Sequence, residues 1–197
     1  ERIPSQTASW ADREAAFSEV AAQSQKDFFR QWVMQAGAPA FAGADPDFRV
    51  WRRVDPTLFP PILREVFIAP QASVVVTDAE LQSAAQALAQ RVLDAKAAPV
   101  GATLPATGPA LIFGLDATID AWLARHGLPA RPLKPSGTAQ VWAGRDAKNR
   151  PYVVVAARDA AALAALQRGL PHYGKQSWLV FDGARAAEKG IWPPLRD

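Results

Sequence analysis

Three times in this chain a short apolar run ends in Asp-Ala and opens onto a helical pattern, and that echo limits the possible folds more than any other feature. The runs are VVVT before Asp78-Ala79, ALIFGL before Asp116-Ala117 and VVVAAR before Asp159-Ala160. β-Branched residues favour extended chain. An aspartate at the junction, or Thr77 with Glu80 in the first unit, offers an acceptor to the unpaired N–H groups of a helix's first turn. The last two helical stretches also stop alike, at Gly127-Leu128-Pro129 and Gly169-Leu170-Pro171. Glycine supplies the left-handed terminal residue, leucine folds back on the last turn, and proline forbids continuation. Strand followed by capped helix, repeated, predicts a parallel sheet with right-handed crossovers.

One segment departs from the echo. TAQVWAGR (138–145) and PYVVVAA (151–157) read as strands around a polar DAKN turn, which predicts a β-hairpin. The expected strands are then 73–77, 110–114, 138–144, 152–157 and 177–181. This is an α/β fold with a mixed, mostly parallel five-stranded sheet and flanking helices. The Ala97–Pro109 stretch, rich in proline, glycine and alanine, reads as an irregular connection.

Ahead of the sheet, Ser9 with Asp12 three places on forms a variant capping box for a long amphipathic helix that runs to Ala36 and stops at Gly37. Trp10, Phe17, Val20, Ala21, Phe28 and Trp32 fall on one stripe of that helix, opposite Glu19, Gln23, Lys26 and Arg30. Residues 38–61 are rich in proline, glycine and aspartate and hold the cluster Arg49, Trp51, Arg52 and Arg53, which reads as a solvated face. Pro60 and Pro61 can open a short helix, ILREVF, in which Arg64 and Glu65 point in different directions. The domain expectation is therefore an N-terminal helix and proline-rich connection over 1–72 and an α/β domain over 73–197, packed as one unit.

Composition closes off several functions. The 22 basic and 19 acidic residues leave a net charge of +3, too little to track a nucleic acid backbone, so no nucleic acid partner is expected. Without cysteine there is no disulfide, thiolate nucleophile or cysteine zinc site. No apolar run approaches the ~20 residues of a transmembrane helix. Neither G-x-G-x-x-G nor G-x-x-x-x-G-K-[ST] occurs, and an aspartate stands where each βα turn would receive a phosphate, so nucleotide binding is disfavoured. G-x-S-x-G and H-E-x-x-H are also missing, and with only His126 and His172 a zinc site would need carboxylates gathered from distant loops. His126 lies in the last turn of a helix, where imidazolium suits the macrodipole. The seven tryptophans are scattered over every element and read as packing residues.

The densest run of reactive side chains is the turn of His172, Tyr173, Lys175, Gln176 and Ser177, just before an apolar strand. Two readings stay open for it. In one, Gly174 makes a tight turn and the polar groups satisfy backbone ends. In the other, these five side chains form a small recognition pocket. Five residues of separation give His172 and Ser177 little claim to be a catalytic dyad.

The pieces PPILREVF (60–67), LPHYGKQSWLVFDG (170–183) and Gly190-Ile191-Trp192-Pro193 resemble the accessory C-terminal region of bacterial aminopeptidase N-like zinc metallopeptidases, the gluzincins. The resemblance implies a non-catalytic domain that packs on or gates the catalytic part of an exported protein, in the periplasm or outside the cell. It also implies that zinc belongs to the parent protein, with no cofactor or metal ligand in this chain, and that the partner is that catalytic part or another protein chain. Glu1 at the start and Met34 as the single methionine fit a processed or excised piece. The other expectation is a stand-alone ligand- or protein-binding module that uses the His172–Ser177 turn.

Overall fold

Residues 9–34, 59–93 and 100–193 are described by the structure, a computed structural model. The chain divides into two compact units, Glu1–Pro56 and Thr57–Asp197.

In the first unit the capping box forms as its sequence dictates. Ser9 accepts from the Asp12 N–H at 3.2 Å, and the Asp12 carboxylate accepts from the Ser9 N–H at 2.8 Å. The helix it starts is not the long one expected. Helix α1 (Trp10–Val20) ends in a Schellman motif and α2 (Lys26–Trp32) begins afresh. Ala22 takes a left-handed φ of 50°, the Gln23 N–H reaches Ser18 O at 3.2 Å, and the Ala22 N–H reaches Glu19 O at 3.2 Å. The Ser18 hydroxyl then accepts from the Gln25 N–H at 2.9 Å, so a side chain supplies a bond that a continuing helix would have made with backbone. The break also undoes the single apolar stripe. Helix α1 buries none of its residues, Trp10, Phe17, Val20 and Phe28 are exposed, and it is Phe29 that is buried, with Phe17 and Phe28 set edge-on against it. Gly37, the side chain of Trp32 and the cluster of Arg49, Trp51, Arg52 and Arg53 lie outside the described residues.

The second unit is built on a mixed sheet. Its strands are β1 (Ser73–Val76), β2 (Val100–Gly101), β3 (Ala110–Leu115), β4 (Ala139–Arg145), β5 (Pro151–Ala157), β6 (Trp178–Asp182) and β7 (Arg185–Gly190), in the order β2-β1-β3-β5-β4-β6-β7. All five expected strands are present within a residue or two, and the 146–150 turn joins β4 to β5 as an antiparallel hairpin. Two strands were not expected. β2 is a two-residue pairing inside the supposedly irregular connection, and β7 carries Arg185, Glu188 and Lys189, whose charge hides the strand pattern and blunts an open sheet edge. "Mostly parallel" is also corrected. β1–β2, β1–β3 and β3–β5 are parallel, whereas β4–β5, β4–β6 and β6–β7 are antiparallel. The hairpin reverses β4 against β5 at the centre of the sheet, and the strands beyond it alternate in direction, β6 running the same way as β5 and β7 the same way as β4.

Strand alternation sorts the core onto two faces. Val74, Val76, Leu111, Phe113, Val141, Val153, Val155, Leu179 and Phe181 meet α3 (Arg64–Phe67), α4 (Gln82–Val92) and α6 (Ala160–Ala165). Val75, Ile112, Trp142, Val154 and Ala156 meet α5 (Ile119–Arg125) on the other face. Helix α5 ends as its sequence requires: Gly127 has φ 66°, and the buried Leu128 returns its N–H to Leu123 O at 3.0 Å. The matching stop at Gly169 does not form. Gly169 is right-handed (φ −90°), and Pro171 enters a 3-10 turn, Leu170–Tyr173, where a proline near the start loses no hydrogen bond.

Gly137 holds the start of β4 against β6. Its φ is +71°, and a Cβ there would stand 2.3 Å from the carbonyl oxygen of Phe181. Gly137→Ala is expected to destabilise the chain by at least about 1 to 2 kcal/mol from the left-handed backbone alone. The midpoint of urea unfolding measures it.

Candidate functional site

In an open α/β sheet the carboxyl ends of the parallel strands are the usual ligand-binding edge. Here that edge carries the junction aspartates, and only one of the three caps a helix. Asp159 accepts from the Ala162 N–H at 2.7 Å and starts α6, as expected. Asp78 instead reaches across to the next junction. Its carboxylate accepts from the Leu115 N–H at 3.0 Å, from the Thr118 hydroxyl at 3.0 Å and from the neighbouring Thr77 hydroxyl. A 3-10 turn, Ala79–Leu81, intervenes before α4, and the Asp78 side chain caps neither. Partial burial disfavours the charge on Asp78, but the three hydrogen bonds outweigh it and hold the carboxyl below its ordinary range.

Asp116 does not cap α5 either, and joins a network around Arg131. The guanidinium, almost wholly buried, pairs with Asp116, bonds Asp120 at 2.9 Å and donates to the Asp116 carbonyl at 3.1 Å and to Gln140 Oε1 at 2.9 Å. It also lies 5.5 Å from the centre of the Trp142 ring. Burial works against the Arg131 charge, and the two carboxylates more than restore it. Gln140, 1% exposed, completes its own hydrogen bonding by donating to Lys134 O at 2.7 Å and Ser136 Oγ at 3.2 Å. An open depression of about 530 Å³ lies beside this network, walled by Leu128, Pro132, Leu133 and Pro135 with Asp120, Arg131 and Lys134. Sequence reasoning passed over Arg131, Asp120 and Gln140. The signal for Gln140 was present, since alternation sets it on the same face as Trp142 with an amide where a core residue belongs.

The five residues of the His172–Ser177 turn are neighbours in sequence but do not converge. His172 and Lys175 are exposed and edge a depression of about 190 Å³ shared with Arg64, Phe67, Ile68, Val92 and Pro171. Tyr173 turns the other way, edge-on to Phe181 at 6.2 Å and with Lys189 Nζ 5.3 Å from its ring centre. Ser177 is fully buried and its hydroxyl has no hydrogen-bond partner, so it makes no bond to His172. Much of the turn's polar capacity is spent on the fold. The Leu63 N–H donates to Gln176 O at 2.9 Å and the Arg64 N–H to Gly174 O at 2.8 Å, which fastens the start of α3. Gly174 is right-handed (φ −54°), so the turn does not need its conformational freedom. A Cβ there would meet Arg64 Cβ at 3.4 Å, an ordinary van der Waals contact, so the turn packs closely on α3 without requiring glycine. His126 stacks on Trp122, ring centres 3.9 Å apart, and its Nδ1 lies 2.8 Å from Trp122 O, which fixes the ring at the end of α5.

Among the described residues no group of three His, Asp or Glu side chains is placed to hold a metal ion, and no helix is long and apolar enough to cross a membrane. Compared with known proteins, the chain matches no family model and no curated protein.

Two substitutions probe the strand-end network. Arg131→Ala should cost about 2 to 4 kcal/mol, because it leaves the buried Gln140 and two carboxylates without their shared cation; thermal or urea unfolding reads the loss. Asp78→Asn should cost about 1 kcal/mol at neutral pH. The carboxyl is depressed in the folded state, so its contribution is present above the ordinary carboxylate pKa and is lost as pH falls through the folded value. The gap between wild type and Asp78→Asn should therefore begin to narrow in unfolding curves taken below about pH 4 and go on narrowing as the pH falls further.

Proposed function

We propose that this chain is a non-catalytic accessory α/β domain of an exported zinc aminopeptidase-like protein, periplasmic or secreted, that packs on the catalytic part or gates access to it. The observation that supports this reading is the state of the strand-end crevice. The ionic groups that would serve a substrate there are committed to one another: Arg131 to Asp116, Asp120 and Gln140, and Asp78 to Thr77, Thr118 and the Leu115 N–H. A site that must change its bonding during turnover needs groups with spare capacity, and this edge uses its groups to hold loops together. Exposed aromatic side chains on α1 and α2, Trp10, Phe17 and Phe28, favour a protein partner over a small substrate.

A second reading rests on the depression at Arg64, His172 and Lys175. Three basic side chains edge it, and none has an ion-pair partner among the described residues. A stand-alone module would use this basin to hold a small anion. His172→Ala should then weaken such binding without changing the unfolding midpoint.

The leading reading expects the purified chain to leave alanine and leucine aminomethylcoumarin amides uncleaved and to lose added zinc on dialysis. It also expects an H-E-x-x-H motif in the coding sequence upstream of Glu1. Turnover of either substrate, with zinc retained at one equivalent, overturns the non-catalytic assignment.

A further inference from the structure

The basin between the His172–Lys175 turn and α3 joins two kinds of surface. On one side stand the Arg64 guanidinium, the Lys175 ammonium and the His172 imidazole; the other includes Phe67, Ile68 and Val92. Helix α3 makes the join, because Phe67 and Ile68 follow Arg64 by three and four residues and so share its face. Glu65, the nearest carboxylate in sequence, is committed elsewhere, paired with Arg145 at 2.6 Å and accepting from the Ile62 N–H at 3.3 Å. We propose that this basin takes the C-terminal residue of a peptide, with the free carboxylate on the basic side and an apolar side chain against the other. The proposal rests on the reading of this basin as an anion site and goes beyond it by naming what the anion is joined to.

Charge, walls and size select that ligand. Arg64, His172 and Lys175 have no ion-pair partner among the described residues, so positive charge gathered at one depression lacks a counter-charge, and a carboxylate supplies it. The planar fork of Arg64 suits both oxygens of a carboxylate at once. The apolar side argues for more than a bare anion. Phe67 and Val92 are buried, but Ile68 is 48% exposed. Inorganic phosphate would leave it in water, whereas an apolar side chain joined to the carboxylate covers it. Volume sets the length, at about 190 Å³. A cavity of about 150 Å³ holds a benzene ring and a drug-sized ligand needs roughly 300 Å³ or more, so the basin takes one residue rather than a lipid chain. That residue ends a peptide, because the α-ammonium of a free amino acid is repelled by Arg64 and Lys175, whereas an amide nitrogen is not. The basin is also held in shape. The Arg64 N–H donates to Gly174 O at 2.8 Å, the Leu63 N–H to Gln176 O at 2.9 Å and the His172 N–H to Gly169 O at 3.0 Å, so the basic side chains stand on backbone already fixed.

The test titrates the full chain, labelled with nitrogen-15, and follows the backbone N–H signals of Arg64, His172 and Lys175. Acetyl-Ala-Leu with a free carboxylate should move these signals saturably. Its amide should bind at least about tenfold more weakly for want of the charge-assisted bonds. Acetyl-Ala-Gly should bind about fivefold more weakly for want of the side chain. Arg64→Gln should weaken acetyl-Ala-Leu by about tenfold and leave the urea midpoint unchanged, since Arg64 is exposed. Lys175→Gln should weaken it likewise, and serves as the second variant if Arg64→Gln disturbs α3. Inorganic phosphate and acetate separate this proposal from the reading it rests on. If they move the signals and acetyl-Ala-Leu binds no more tightly than acetate, the peptide proposal fails while the anion site stands. If no probe moves them at millimolar concentration, both fail. Binding of free leucine, or of the amide, as tight as that of acetyl-Ala-Leu also overturns the proposal.

Discussion

Strand β5 has no solvent face. Residues 152–157 are buried, hydrogen-bonded to β3 on one side and β4 on the other, and covered by helices above and below. A strand in that position must be apolar at every residue and must find a partner for every backbone group. The rest of the second unit follows from that demand. α6 and α4 cover one face and α5 the other, while β4 has to turn back beside β5 to complete its pairing. The hairpin that meets this demand reverses the chain direction, so the sheet is parallel on one side of β5 and antiparallel on the other.

The hairpin turn is itself tied down. Asp146 accepts from the N–H groups of Lys148 and Arg150 and pairs with the Arg150 side chain, which in turn donates to the carbonyl oxygens of Pro105 and Ala106. One aspartate therefore shapes the turn and, through Arg150, anchors the connection between β2 and β3. Burial disfavours its charge, but Arg150 and the backbone donors hold its carboxyl below the ordinary range. The nearby Tyr152 hydroxyl is pushed up to about 12 by its burial and then by the Asp146 charge. The same economy holds at the opposite end of the strands, where Asp78 and Arg131 join loops. Asp78, Arg131, Asp146 and Arg150 thus hold irregular segments to a core that is apolar on both faces.

This pattern bears on function. A turn dense in reactive side chains drew attention in the sequence, yet in space its members part: Tyr173 packs on Phe181, Ser177 sinks into the sheet, and His172 and Lys175 face outward. The reading as an accessory domain accommodates both this dispersal and the internally bonded strand ends. Among the described residues the unpaired Trp142 Nε1, Arg145 Nε and Ser177 Oγ are the exceptions to an otherwise well-bonded interior.

How much was legible can be judged residue by residue. The runs VVV, ALIF and VVVAA could hardly be other than buried strands, and Gly127-Leu128 announced the end of α5, because strand burial and Schellman stops depend on residues adjacent in the chain. Asp159 likewise found its N–H donor three residues on. Asp78 and Asp116 resemble it in sequence and did not cap, because their partners lie at Leu115 and Thr118 for one and at Arg131 for the other. The second GLP failed to stop a helix for a similar reason, since α6 had already ended and the chain turned to dock on α3. β7 and the break after α1 were hidden, one by charged side chains and the other by an alanine in a glycine's conformation. The sequence alone determined the elements whose causes are local: apolar periodicity, caps and turns. Only the tertiary structure decided strand order, the direction of half the pairings and the partner of each charge, because those depend on which distant residues the two-faced burial of β5 brings together.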